Sequence, residues 1–174
     1  KQIPLGSPIR DVDIQKSGKF AAITSDDGKI TLIDLKTRAK SGFDLEGTNI
    51  KFTSFSPNGL QIATGSGNGV ISLWNLNEPS QPLNTRKHVG EILTLEFSIN
   101  GLYLVTGGTD GDVVVTDTKT GVEKFRVAHD DQVKDIAFSP NNDWFVTVSN
   151  DRKIRVWDIN NGRQILNMSQ NNFV

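Results

Sequence analysis

A spacing of 41 to 42 residues recurs along the chain and constrains its fold more than any other feature. A repeat has to be found before anything else, because it sets the whole architecture. The turn pairs Asp27-Gly28, Asn68-Gly69, Asp110-Gly111 and Asp151-Arg152 follow one another at intervals of 41, 42 and 41. Seven residues after the first member of each pair stands a polar anchor: Asp34, Asn75, Asp117 and Asp158. An upstream series, Gly18, Gly59, Gly101 and Asn142, keeps the same intervals. Three series in one register define four copies of one unit.

The segments between these anchors read as strands. Phe20 to Thr24, Leu60 to Thr64, Leu102 to Thr106 and Trp144 to Val148 are short, apolar and rich in β-branched residues. So are Ile30 to Leu35, Val70 to Leu76, Val113 to Thr118 and Ile154 to Ile159. Each is bounded by Gly, Asn, Asp or Pro, which tolerate tight-turn dihedrals. Four strands fit in each unit and no segment carries a helical period, so the fold is expected to be all-β.

The fourth unit carries a more particular pattern. His129 opens it, followed by Val133-Lys134-Asp135-Ile136-Ala137-Phe138-Ser139-Pro140 and later by Ser149-Asn150-Asp151 and Val156-Trp157-Asp158. The 29 residues from His129 to Asp158 equal those from His88 to Asp117. In these residues, and from about Ile9 to Met168, the chain resembles the WD-repeat (WD40) family. The resemblance implies a β-propeller built of four-stranded antiparallel blades, one region over 1–174 with blades at about 9–45, 49–86, 91–128 and 132–168. Propellers have four to eight blades, and those of this family most often have seven. Four blades alone would expose two apolar blade faces, which folded proteins avoid. The favoured reading is therefore part of a larger propeller. Pairing of two copies and closure of four blades are the alternatives.

The same resemblance implies a structural tetrad: a His on the loop leading into the blade, a Ser or Thr on the second strand, an Asp in the tight turn and a Trp on the third strand. In the fourth unit these are His129, Ser149 (or Thr147), Asp151 and Trp157. The third unit keeps His88 and Asp110 but has Thr116 for Trp. The second keeps Trp74 but has Glu46 for His and Asn68 for Asp. The first has Leu5 and Ile33, and keeps only Asp27. One full tetrad is expected, with the first blade least rigid.

No enzyme chemistry is expected. The chain has two histidines, and both fall at tetrad positions. No second ligand or base converges on them by spacing. Gly65-Ser66-Gly67-Asn68-Gly69 is followed by a strand, so no helix N-terminus is there to hold a phosphate. Asp110-Gly111-Asp112 is too short for a calcium loop. With no Cys there are no disulfides and no thiolate zinc. No cofactor and no metal are expected. No apolar run approaches the length of a membrane span, and the cysteine-free composition fits an intracellular protein, cytoplasmic or nuclear.

Function is expected on the loops at one end of the blades, the family's top face. The family places partner contacts at the residue before the turn Asp and at two residues near the start of the first strand. The first series is Asp26, Gly67, Thr109 and Asn150. The second is Arg10, Lys51, Leu93 and Lys134, beside Pro8, Asn49, Glu91 and Gln132. The candidate partner-binding residues are thus Arg10, Asp26, Lys51, Leu93, Thr109, Lys134 and Asn150, with Leu93 as an apolar anchor. Three of the four strand-start residues are basic although the formal net charge is −1. That favours an acidic or phosphorylated peptide, or a nucleic-acid backbone. The expected function is a non-catalytic protein-interaction scaffold within a multi-protein complex. The alternative is an RNA-processing or chromatin propeller that contacts phosphates through the basic residues.

Overall fold

The structure, a computed structural model, describes residues 6–44, 49–78 and 82–169. It consists of four four-stranded antiparallel sheets, each with its strands in chain order. The first contains β1 (Ile9–Ile14), β2 (Phe20–Ser25), β3 (Lys29–Asp34) and β4 (Lys40–Asp44). The second contains β5 (Ile50–Phe55), β6 (Gln61–Ser66), β7 (Val70–Asn75) and β8 (Pro82–Lys87). The third contains β9 (Ile92–Phe97), β10 (Tyr103–Gly108), β11 (Asp112–Asp117) and β12 (Glu123–Ala128). The fourth contains β13 (Val133–Phe138), β14 (Trp144–Ser149), β15 (Lys153–Asp158) and β16 (Gln164–Ser169).

The periodic residues sit where the chain must reverse. Gly18, Gly59, Gly101 and Asn142 take φ values of 71°, 70°, 73° and 60° between the first and second strands. Gly28, Gly69, Gly111 and Arg152 take 77°, 82°, 81° and 64° between the second and third. Left-handed backbone is what Gly, and next to it Asn, supplies at least cost.

The sheets stack face to face. β1 packs on β5, β5 on β9 and β9 on β13. Three apolar clusters fill the three seams. Ala22, Ile30 and Leu32 meet Ile50, Phe55, Ile62 and Trp74. Ala63, Ile71 and Leu73 meet Ile92, Phe97 and Leu104. Val105, Val113 and Val115 meet Val133, Ile136, Phe145 and Trp157.

The burial of the third strands shows which faces are covered. β7 and β11 each bury four consecutive residues, as a strand sandwiched on both faces must. β15 buries only Arg155 and Trp157, which alternate with half-buried Ile154 and Val156. The outer face of the fourth sheet is open, leaving Trp144, Leu166 and Met168 at 46%, 46% and 49% exposure. Their counterparts one unit back, Tyr103, Phe125 and Val127, are packed into the third seam. The first sheet is open on its opposite face, with Ile9, Val12 and Ile14 at 56–57%. Ile50 and Phe55, one unit on from Ile9 and Ile14, are buried. The described residues therefore form a run of blades with two uncovered apolar faces.

Candidate functional site

Two kinds of site follow from the repeat: the polar cluster inside each seam and the rim where the first strands begin. In the fourth sheet His129, Thr147, Asp151 and Trp157 form one buried network. The indole Nε1–H of Trp157 donates to Thr147 Oγ1 at 2.8 Å. His129 Nε2 lies 2.7 Å from the same oxygen and His129 Nδ1 lies 3.0 Å from Asp151 Oδ2. An indole N–H only donates, so the Thr147 hydroxyl spends its own proton on His129 Nε2. His129 is then the neutral tautomer protonated on Nδ1, which donates to Asp151. Burial, with the nearby Arg155 charge, holds the His129 pKa below its ordinary value. Burial alone would raise the Asp151 carboxyl. Hydrogen bonds from the Asp130 and Lys153 N–H groups and from His129 outweigh it and hold the pKa at about 2.

Of the two hydroxyls expected for this position, Thr147 is in the network and Ser149 is not. Both point to the same face of β14, but Thr147 lies mid-strand, fully buried, opposite Arg155. Ser149 lies at the strand end, where its hydroxyl donates to the Asp131 carbonyl and accepts the Asp151 N–H. The sequence reading also missed Arg155. This buried guanidinium reaches Asp151 Oδ2 and the Ala128 carbonyl, each at 3.0 Å, and neutralises the turn carboxylate.

The other sheets hold partial versions. In the third, His88 bridges Asp110 and Thr106 at 3.1 Å each, while the hydroxyl of Thr116, at the Trp position, has no hydrogen-bond partner among the described residues. In the second, Trp74 donates to Thr64 at 3.2 Å, and Ser66 donates to Asn68 in the turn. In the first, Ile33 occupies the Trp position, and Ser25 donates to Asp27 at 2.6 Å. Leu5 and Glu46 lie outside the described residues.

At the rim, the structure ties the two candidate series together in every sheet. The N–H groups of Asp26, Gly67, Thr109 and Asn150 donate to the carbonyls of Pro8, Asn49, Glu91 and Gln132 at 2.7–3.0 Å. Beside each of these bonds the register of the first two strands slips by one residue. The residues left without a partner across the slip are Arg10, Lys51, Leu93 and Lys134, the four strand-start candidates. A bulge of this kind re-aims its side chain out of the ladder.

The aimed side chains differ. Arg10 pairs with Asp26 of its own sheet. Lys51 crosses to the third sheet and pairs with Glu91. Its path runs over Gly67, where a Cβ would lie 3.0 Å from Lys51 Cε. Lys134 donates to Gln132 at 2.8 Å, and Asn150 is exposed. Thr109 accepts the Glu91 N–H at 2.9 Å. Leu93, expected as an exposed anchor, is half-buried. The most exposed apolar side chain at this end is Val89, at 93%, on the loop anchored by its N–H to Asp110. A short loop valine carries no periodic signal, so the sequence did not point to it.

Between the rim and the core lies one carboxyl of unusual acidity. Glu96 on β9 is half-buried in the third seam; burial, helped by the Asp135 charge, raises its pKa to about 7. The folded chain thus holds a proton at Glu96 that the unfolded chain loses above about pH 4.5. The associated stability is complete below that pH and is lost as pH rises through about 7. Glu96→Gln stays neutral throughout. Its urea midpoint at pH 8 should exceed that of the wild type by an amount worth on the order of 1 kcal/mol, and the two should converge near pH 4.5. Equal midpoints at pH 8 would refute the assignment.

Both histidine rings use both nitrogens inside the protein, and among the described residues no cluster of His, Cys, Asp or Glu could hold a metal. Nor is any helix among them long and apolar enough to cross a membrane. Stacked four-stranded sheets in chain order, sealed by a His-Thr-Trp-Asp network, define a β-propeller of repeat type. The pattern of the WD40 family (WD domain, G-beta repeat) matches residues 41–75, 80–117 and 122–158. The chain belongs to that family. It is 30% identical over 159 residues to WD repeat-containing protein SL1-17 of Schistosoma mansoni, covering 91% of this chain and 53% of that protein. It is 29% identical to polyadenylation factor subunit 2 of Candida albicans, over 78% of this chain and 25% of that one. It is 31% identical to protein hir-1 of Neurospora crassa, over 59% of this chain and 13% of that one. A chain in the crystal structure of the mitotic checkpoint complex superimposes with a TM-score of 0.86 at 21% identity, covering 97% of this chain and 53% of that chain. The chain thus spans at most about half the length of these proteins.

Proposed function

We propose that the chain is a non-catalytic scaffold that binds a partner protein or peptide on the rim formed by its first-strand bulges, within a multi-protein complex. The bulges carry this reading. Four equivalent positions break the strand ladder at one end of the sheets and aim Arg10, Lys51, Leu93 and Lys134 out of it. Val89 adds an apolar contact at the same end. The names of two similar proteins, a polyadenylation factor subunit and a chain of the mitotic checkpoint complex, are those of assembly members. Blades beyond these four, in one polypeptide or from a second copy, cover the open faces of the first and fourth sheets.

The rim favours a protein partner over nucleic acid. Arg10 and Lys51 are each paired with a carboxylate, so a phosphate would have to displace an existing partner. Affinity purification with the wild-type chain and with Lys51→Glu/Val89→Asp tests the reading. Partners recovered in stoichiometric amounts with the wild type should be depleted about tenfold with the variant, a loss on the order of 1.4 kcal/mol. Equal recovery with both baits refutes the rim. Binding of single-stranded RNA that weakens steeply with salt, the signature of counterion release, would replace the scaffold with the phosphate-binding alternative.

A further inference from the structure

We propose a second binding site: the cleft between the second and third sheets, at the end opposite the bulges, takes an extended peptide with an acidic side chain next to an apolar one. The cleft has a volume of about 340 Å³ and is lined by the turns after β5, β7, β9 and β11. Three of its four asparagines, Asn58, Asn75 and Asn100, have their oxygens already committed. Asn58 Oδ1 accepts from the Ser56 hydroxyl and the Leu60 N–H. Asn100 Oδ1 accepts from the Ser98 hydroxyl and the Leu102 N–H, and Asn75 Oδ1 accepts from the Asn77 N–H. These bonds fix each amide flip, because a backbone N–H needs an oxygen. What each of these three has left is its NH₂ group, which finds no acceptor among the described residues.

Lys119 adds a cation that makes no ion pair among the described residues. No carboxylate lines the cleft. The lining therefore offers donors and no anion of its own, while Asp117, just outside it, attracts the Lys119 charge. Leu60 and Leu102, 52% and 56% exposed, supply apolar surface on the two sheets that flank it. Donors suit backbone carbonyls and one carboxylate, and the leucines suit an apolar neighbour. One lysine is too little charge for a nucleic-acid backbone, whose binding rests on many phosphate contacts.

The repeat shows that this seam departs from its own pattern. Asn75 occupies the position that is Asp34, Asp117 and Asp158 in the other units. All four residues cap the same turn with a side-chain oxygen: Asp34 accepts from Lys36, Asn75 from Asn77, Asp117 from Lys119 and Asp158 from Asn160. Asparagine keeps the cap and removes the charge. The neighbouring seams are also closed differently. Gln15 reaches across the first to the Gly59 carbonyl, and Asn142 reaches across the third to the Asn100 N–H. In the second seam Gln61 bonds the Thr118 carbonyl and leaves the cleft above it open.

The test pans a phage-displayed library of short random peptides on the full chain, with excess Asn75→Asp chain as competitor. Aspartate folds this turn in the three other units, so the variant keeps its fold. Enriched peptides are expected to share an Asp or Glu beside Leu, Ile, Val or Phe. Fluorescein-labelled synthetic copies should bind Asn75→Asp and Lys119→Glu about tenfold more weakly. Their affinity for Lys51→Glu, altered at the other end of the sheets, should not change, which separates this site from the rim. The proposal is overturned if nothing is enriched, if the enriched peptides lack acidic residues, if both cleft variants bind like the wild type, or if single-stranded RNA displaces the peptides.

Discussion

Thr147→Val should lower the stability of the chain by about 3 kcal/mol while leaving the packing volume unchanged. The hydroxyl it removes serves two buried rings at once, accepting from Trp157 at 2.8 Å and donating to His129 at 2.7 Å. Valine fills the same space and satisfies neither. Each orphaned ring nitrogen costs about 1–3 kcal/mol, because water cannot reach a side chain as buried as these. Ser149→Ala is the control. Its hydroxyl bonds only an exposed carbonyl and a turn N–H, so the loss should stay below about 1 kcal/mol. Urea unfolding followed by tryptophan fluorescence compares the two, since Trp157 reports on the network directly. A serine variant as damaging as the threonine variant would mean that the network is not centred on Thr147.

Gly69→Ala should be as damaging for a different reason, at about 3–5 kcal/mol. Gly69 has φ +82°, and a Cβ there would sit 2.5 Å from the Gly90 carbonyl oxygen and closer still to that of His88. The strained backbone accounts for about 1–2 kcal/mol and the forced contact for about 1–3 kcal/mol. The loop cannot retreat, because the His88 N–H is bonded to the Gly69 carbonyl at 2.9 Å. Gly111 repeats the arrangement against His129, with the Cβ position 2.7 Å from its carbonyl oxygen. Arg152 holds the equivalent place in the fourth sheet at φ 64°, where no following loop crosses the turn among the described residues. Arg152→Ala should therefore shift the thermal midpoint far less than Gly69→Ala. A Gly69→Ala chain that melts with the wild type would show that the loop yields more than its hydrogen bond allows.

Much of the fold was legible because its signals are local. Gly18, Gly59, Gly101 and Asn142 are read as turns from residue type and spacing, and a positive φ is the reason for both. The apolar runs between them are strands because β-branched residues alternate or cluster at lengths that fit one strand. The seam network was only partly legible. Thr147 and Ser149 stand two apart on one face of β14, and strand periodicity treats them alike. The distinction lies in burial and in partners 18 residues away in sequence. The rim shows the same division. Arg10, Lys51, Leu93 and Lys134 were singled out by position, but not as bulges, because a bulge is a relation between two strands.

Residue type and spacing alone set the four equivalent units, the places of their turns and the residues that recur in them, since all of these depend on the backbone preferences of a few neighbouring residues. How the units are cut and what they leave open follow from pairing between distant strands. The family pattern at 122–158 begins with β12, the outer strand of the third sheet, and ends with β15. The repeat in sequence is thus offset by one strand from the sheet in space, and each described seam is stitched by the chain that crosses it. The same long-range pairing decides that Tyr103, Phe125 and Val127 are covered while Trp144, Leu166 and Met168 are not. Their local sequences are of one kind. What differs is whether another sheet lies against them, and burial of apolar surface is a property of the neighbour as much as of the residue.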